Sequence, residues 1–425
     1  MHDVAPALQG PRALALATWG LFAGLVLVLL AGGMFSTLLG IRAELEGLPT
    51  FVSGGLTAAY YAGFLVGTRV ALRALRLVGH IRVYAALTAV LSAAVLLIGL
   101  LGAPVAWIVL RLITGLCFAG LYVVAESWLN GLAHNSFRGR LLAVYSLIVV
   151  GSFGAGQLLV FDLDARSLVG FAIAAVIASL GVVPVVLSEQ ASVPSTESVA
   201  SMSLGQLARI VPTGAGTMLL VGLAHGGLSG MAVIYATRSG LGVGRVGLLL
   251  AAVQIGGMLF NWPISAASDD IDRRVVGAVV SIGAMGIAAT LFLGAPQDWW
   301  VTVMFLLLGG LTSPLYAIAG AYTNDWIEPA LLGAAASQLV TLYGVGAMIG
   351  PLVAAGFMEV FGTDGWVWSI IVLHGLIAAF LFYRIRSWTA PLTARPWREV
   401  SVPARAFFIP ATIVAMGTRP RRSRR

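Results

Sequence analysis

Arg111 and Glu126 are the residues of this sequence best placed to do chemistry, because both interrupt one long apolar run, PVAWIVLRLITGLCFAGLYVVAESWLN (104–130). An arginine at the centre of a membrane-spanning helix costs about 3 kcal/mol to insert, so it faces a polar cavity or a partner. There it can anchor an anionic group of a solute or modulate a proton site. The bland alternative is a hydrogen bond to the carbonyls of a neighbouring helix. Glu126 is the one acid well inside such a run and therefore the default carrier of a proton. It follows Arg111 by 15 residues, about 22 Å along a helix, so the two do not form a direct pair. Close to Asn130 and the end of its run, it has Arg73, Arg76, Arg138 and Arg140 of the flanking loops within reach.

Other polar side chains in apolar runs are Gln157, Gln254, Asn261, Ser313, Tyr316, Gln338 and Tyr343. Each either orients a bound solute or ties helices together at about 1 kcal/mol. His225 and His374 are of a type that titrates near neutral pH. A lone membrane histidine is more often a hydrogen-bonded packing residue, and His225 is the better functional candidate because it adjoins the loosening stretch GGLSG (226–230). Of this set, Arg111, His225, Gln157, Gln254, Tyr316 and Gln338 are the expected substrate or coupling residues.

The residue types also exclude. All 25 basic residues are Arg, which removes P-loop lysines, Schiff-base lysines and Ser-Lys pairs. Cys117 is the sole cysteine, so no disulfide framework, CxxC pair or thiolate metal site is available. Asp269, Asp270 and Asp272 are the one acidic cluster, and they stand beside Arg273 and Arg274. That makes a membrane acyl or glycosyl transferase the least favoured reading. No enzymatic activity, cofactor or metal is expected.

The elements that must carry these residues follow from composition. The chain has 425 residues, 59% hydrophobic and only 10% charged, against about 25% charged in a soluble domain. Most of its surface therefore faces lipid. Cutting wherever charge, Pro or Gly-polar clusters break runs of about 20 apolar residues gives twelve spans: 15–39, 52–72, 83–102, 105–130, 141–161, 167–188, 212–236, 245–268, 275–295, 300–323, 334–357 and 364–385. These continuous runs are twice the length of β-barrel strands, so the expected class is an all-α membrane protein. Asp3 and the long first run argue against a cleaved signal peptide. SEQASVPSTESVASMS (188–203) reads as a linker. The expected organisation is an N-terminal six-helix half (1–188), a cytoplasmic linker (189–208), a C-terminal six-helix half (209–386) and a basic cytoplasmic tail (387–425).

Charge sets the orientation. With both termini inside, the head and inner loops carry nine arginines (Arg12, Arg73, Arg76, Arg82, Arg138, Arg140, Arg209, Arg273 and Arg274), against four in the outer loops (Arg42, Arg166, Arg238 and Arg245). That asymmetry is the positive-inside pattern. The formal net charge of +8 would suggest a nucleic-acid partner in a soluble protein. Here residues 384–425 hold ten arginines against Glu399 alone, and the remainder of the chain is nearly neutral. The surplus belongs to a tail expected either to be disordered or to lie on anionic lipid, and no nucleic acid is expected.

An internal repeat is visible. LYVVAESWLN (121–130) lies over LYAIAGAYTN (315–324), and in the same order Gly139 falls on Gly333 and Gly156 on Gly350. Span four thus corresponds to span ten and span five to span eleven. Parallel six-helix repeats about an axis normal to the membrane are a transporter architecture that binds solute near the midplane, between the halves.

With these residues in view, the chain resembles the major facilitator superfamily and, within it, a YcaD-like bacterial branch. RLITGLCFAGLYVVAESWLN and FRGRLLAVYSLIVVGSFGAGQLL carry the branch resemblance, and RxxxG of span four is intact as Arg111 and Gly115. The loop signature between spans two and three is degraded in GTRVALRALRLVGHIR (67–82). Its second copy is partly kept in SAASDDIDRR (265–274), with Asp269 and the basic pair Arg273 and Arg274. The antiporter signature has its glycines but no proline on span five, and GAMIGPLVAAG (346–356) stands instead on span eleven.

The resemblance implies a fold of 12 transmembrane helices in two six-helix halves and a secondary active transporter of a small solute working by alternating access. Proton coupling is the expectation, with efflux slightly favoured over import. It also implies a cytoplasmic gate, in which Glu126 is favoured as gate member over proton carrier, with candidate partners Arg73, Arg76, Arg138, Arg140, Asp269 and Arg273. The expected setting is a bacterial inner membrane, with both termini cytoplasmic, and the expected partners are lipid bilayer, small-molecule substrate and protons, the protein acting as a monomer. The alternative is a receptor or scaffold that keeps the fold without turnover.

Overall fold

The computed structural model describes residues 11–132, 135–161, 163–188, 202–294 and 296–387, with residues 11–16, 132 and 135–140 described by backbone alone. The first half is built from α1 (Pro11–Leu45), α2 (Thr50–Val78), α3 (His80–Leu100), α4 (Pro104–Leu132), α5 (Asn135–Leu158) and the broken span α6 (Leu168–Leu180) with α7 (Val182–Leu187). The short α8 (Leu204–Ile210) leads into the second half, α9 (Pro212–Arg238), α10 (Val243–Asp270), α11 (Arg273–Thr290), α12 (Trp299–Asn324), α13 (Leu332–Phe361) and α14 (Gly365–Ser387). Among the described residues, ten stretches are long and apolar enough to cross a membrane; α13 and α14 share the last of them. The remaining span is α2, whose N-terminal part carries Ser53, Thr57, Tyr60 and Tyr61.

Several helices outrun the spans drawn from hydropathy, because charge ends a hydrocarbon crossing without ending a helix. α1 continues past Leu39 to Leu45, its last turns held by Arg42, which pairs with Glu46 at 2.6 Å and donates to the Gly99 carbonyl at 2.8 Å. The Arg42 guanidinium also lies over the Trp107 and Phe171 rings, 5.2 and 5.4 Å from their centroids. α2 runs through Arg73 and Arg76 until Gly79, which adopts φ 81° and turns the chain into α3 within one residue. That left-handed conformation is cheap for glycine alone. The sixth span breaks at Gly181, three residues before Pro184, whose ring nitrogen has no N–H to continue the ladder. α8 occupies part of the expected linker and begins with a capping box between Ser203 and Gln206. Linker residues 189–201 and tail residues 388–425 lie outside the described residues.

Glycines set the closest helix contacts. A Cβ at Gly115 of α4 would strike the Tyr60 carbonyl of α2, and one at Gly63 of α2 would strike the Leu112 carbonyl of α4. In the second half, Gly309 of α12 and Gly256 of α10 stand in the same relation to the Val253 and Leu306 carbonyls. Gly156 of α5 abuts Leu30 of α1, as Gly350 of α13 abuts Leu223 of α9. The pairings α2 with α4 and α1 with α5 thus recur as α10 with α12 and α9 with α13. Gly156 and Gly350, equated by the sequence repeat, occupy equivalent contacts.

Candidate functional site: the cavity between the halves

A cavity of about 150 Å³ lies where the halves face each other, bordered by α1, α2, α4 and α5 on one side and α9 and α10 on the other. The α2–α4 glycine crossing determines its charged wall. Because backbone can approach backbone at Gly63 and Gly115, Tyr60 comes alongside Arg111, one turn before Gly115. The Arg111 guanidinium then sits 4.7 Å from the Tyr60 ring centroid and 5.5 Å from that of Phe35. Arg111 is 7% exposed, its Nε donates to the Leu56 carbonyl at a long 3.4 Å, and its buried Nη1 has no hydrogen-bond partner. The carbonyl contact foreseen as the bland role of this arginine is present, therefore, but it leaves a donor unused.

Three more of the expected substrate residues border the same cavity: Gln157 from α5, His225 from α9 and Gln254 from α10. Gln157 is buried with Oε1 unpartnered. His225 shares a 3.3 Å hydrogen bond with Ser229 Oγ, and its ring stands 5.9 Å from Tyr343. Gln254 packs its Cβ against Gly154 of α5, at the crossing between the halves. Tyr316 is one ring further on, edge-on to Tyr343 at 5.0 Å, outside the lining itself. Gln338 has a different place: its Nε2 donates to the Met202 carbonyl at 2.8 Å, tying α13 to the segment that enters α8. His374 is fully buried between α12 and α14, hydrogen-bonded to Thr312 Oγ1 at 3.1 Å and to the Ile370 carbonyl at 2.9 Å, as a packing histidine would be.

Of the expected gate residues, Asp269 and Arg273 come together at 2.9 Å, and Arg273 also binds Asp325 at 2.8 Å and Ser268 Oγ at 2.9 Å. This cluster joins α10, α11 and the end of α12. Beside it Arg274 pairs with Asp272 at 2.7 Å and donates to the Arg384 carbonyl of α14. Burial pushes the Asp272 carboxyl up, but the hydrogen bonds and charge of Arg274 outweigh it and hold the group below its ordinary value. Glu126 is buried and accepts from Tyr145 Oη at 3.4 Å. Arg73 and Arg76 are exposed on the last turns of α2 and form no ion pair among the described residues. The side chains of Arg138 and Arg140 lie outside the described residues.

Two features had no part in the sequence reading. One is the polar face of α2, Ser53, Thr57, Tyr60 and Tyr61, all of which border the cavity. Their spacing of four, three and one places them on one side of a helix, and that stripe was the available signal. The other is an ion pair between Glu44 of α1 and Arg238 of α9, 2.7 Å long, which bridges the halves at the end of the bundle where α1 turns into α2. Close contacts surround it, Gly40 against Val233 and Gly54 against the Pro351 carbonyl. At the opposite end, the pairs made by Arg273 and Arg274 stay within the second half.

Residues 214–420 match the family model described as Major Facilitator Superfamily. The protein named uncharacterized MFS-type transporter YcaD, from Escherichia fergusonii, is 29% identical over 370 residues, covering 86% of this chain and 94% of that one. The chain is thus similar to the major facilitator superfamily, to its family model over most of the second half and to this relative over most of its length. Among solved structures of this fold, a variant of the nucleoside transporter NupG superposes with a TM-score of 0.73 at 13% identity, over 88% of this chain and 100% of that one. A bacterial homolog of the human lysosomal transporter Spinster, in an inward-facing and occupied conformation, gives 0.70 at 16% identity, over 89% and 97%. At such identities the likeness is one of fold. With many stretches long and apolar enough to cross a bilayer, the chain is an integral membrane protein.

Proposed function

We propose that this protein is a secondary active transporter that carries a small solute in the cavity around Arg111 by rocking its halves in alternating access. The observation that carries the reading is the combination of a cavity shared by both halves with a buried guanidinium whose Nη1 is unpartnered. A purely structural arginine would be expected to use its donors. Both termini are assigned to the cytoplasm, which puts the Glu44–Arg238 end outside, and the state described is one closed to the exterior. The positive-inside asymmetry supports that assignment, and the halves follow the boundaries 1–188 and 209–386. Efflux coupled to protons is the mode assigned, with Glu126 and the gate cluster of Asp269 and Arg273 at the cytoplasmic side.

The test is flux of a solute panel in proteoliposomes of the purified protein, with and without an imposed pH gradient of either sign. Accumulation of one solute, dependent on the gradient and lost in Arg111→Ala that still inserts and stays monodisperse, is the expected result. Full transport by that variant would reject the role of Arg111. Ligand binding without any flux would favour a non-transporting receptor.

A further inference from the structure

The cavity carries information about what it holds. Of the groups bordering it, Arg111 is the one with a fixed charge, and no aspartate or glutamate is among them. The cation has a donor to spare, since Nη1 has no partner, and Ser53 Oγ in the same lining is also buried and unpartnered. A buried charge of one sign, with no acid in the lining and left with an open donor, is satisfied by a ligand group of the opposite sign that accepts hydrogen bonds. A cationic solute would meet like charge in a site of low dielectric. A neutral solute would leave the guanidinium with only the Tyr60 and Phe35 rings and the long bond to the Leu56 carbonyl.

Size and walls narrow the class further. About 150 Å³ is the volume of a cavity that takes one benzene ring, so a solute with a body of about that size fits the space as it stands. The body of the ligand meets Tyr60, Tyr61, Phe153, Val233 and Leu250, a mixture of aromatic and branched apolar surface. One unpaired cation balances one negative charge and not two or three.

We infer that the solute is a compact organic monoanion, a monocarboxylate whose apolar or aromatic body is about one ring in size, with its carboxylate held by Arg111 Nη1 and the Ser53 hydroxyl. This rests on the cavity being the solute site, as proposed above, and adds the chemical class.

The test uses the full-length protein in detergent at neutral pH, with labelled benzoate as probe in equilibrium dialysis and unlabelled competitors of matched size. Benzoate is expected to bind and to be displaced by cyclohexanecarboxylate at least about tenfold more readily than by benzyl alcohol, the scale of one charge-assisted hydrogen bond. Benzylamine should not displace it. Arg111→Gln should lose the preference for the acid over the alcohol, and Arg111→Lys should keep part of it, which a merely structural arginine would not produce. The wild-type competition stands even if Arg111→Gln fails to fold. Absence of benzoate binding to folded wild-type protein, or displacement by benzylamine or benzyl alcohol as effective as that by cyclohexanecarboxylate, overturns the inference. Anion-selective binding without flux in proteoliposomes would uphold the anion site and reject transport. Flux of neutral or cationic solutes with no anion preference would uphold transport and reject the anion site.

Discussion

Gln157 and Gln338 carry the same side chain in the same kind of apolar run, and their environments give them opposite expectations. Gln157 borders the cavity with Oε1 unpartnered, whereas Gln338 spends its amide on the Met202 carbonyl. Gln157→Ala is expected to raise the KM for transport by about fivefold, the loss of one hydrogen bond near 1 kcal/mol. Gln338→Ala should leave KM alone and lower the melting temperature. Equal effects of the two on KM would remove the distinction. Glu126→Gln keeps an oxygen to accept from Tyr145 and deletes the charge; for a gate member it is expected to slow flux with and without a pH gradient alike. Loss of the gradient's stimulation alone, with exchange at zero gradient intact, would make Glu126 the proton carrier instead. Arg111, Gln157, His225 and Gln254 were legible as cavity residues because a charged or amide group in lipid needs an interior to face. Ser53, Thr57, Tyr60 and Tyr61 were not, since hydroxyls and phenols also serve routinely in helix packing. Gln338 was misplaced for the same reason in reverse: no sequence pattern shows that its partner is the carbonyl of residue 202.

The helix crossings explain why the intact RxxxG pairs an arginine with a glycine one turn away. Gly115 admits the α2 backbone, and that approach brings Tyr60 and Leu56 against Arg111. Gly115→Val would drive a side chain into the Tyr60 carbonyl and push α2 away, at a cost of about 1–3 kcal/mol together with displacement of the cavity wall. The expected result is a lower melting temperature and loss of solute binding. Gly151 on α5 has nothing within 4 Å of a notional Cβ, so Gly151→Ala should be neutral or slightly stabilising, helix interiors favouring alanine over glycine by about 1 kcal/mol. A melting temperature in Gly115→Val equal to that of the parent would show that the crossing does not set the site. The number of spans and their division into halves were legible in hydropathy, because lipid enforces length and apolarity on every crossing. Their ends were less so: α1, α2 and α13 run beyond the hydrocarbon on charged or polar turns, and the break between α6 and α7 depends on Pro184 inside an apolar stretch that hydropathy reads as continuous.

At the scale of the whole molecule, the pair Glu44–Arg238 bridges the two halves at one end of the bundle. Its partners are 194 residues apart in sequence, so no local pattern announces them, and Arg238 counted in the sequence only as an exception to the positive-inside rule. The side chains are 18% and 23% exposed, between a surface pair and a buried one. A pair in that setting is worth about 1 kcal/mol, and its loss changes the ratio of two conformations by about fivefold. Glu44→Gln should therefore move the population toward a state open at this end, and so should Arg238→Gln. The exchange Glu44→Arg with Arg238→Glu restores opposite charge across the same gap and should return the population toward that of the parent. Spin labels on Leu45→Cys and Gly242→Cys, at exposed positions on α1 and just before α10, report the separation of the halves; Cys117 can stay in place because it is fully buried. Longer distances in each single variant, and recovery in the exchanged pair, are the expected pattern. If the single variants match the parent distance distribution, the pair is a passive contact, and the glycine-lined contacts of Gly40 with Val233 and Gly54 with Pro351 hold that face closed without it.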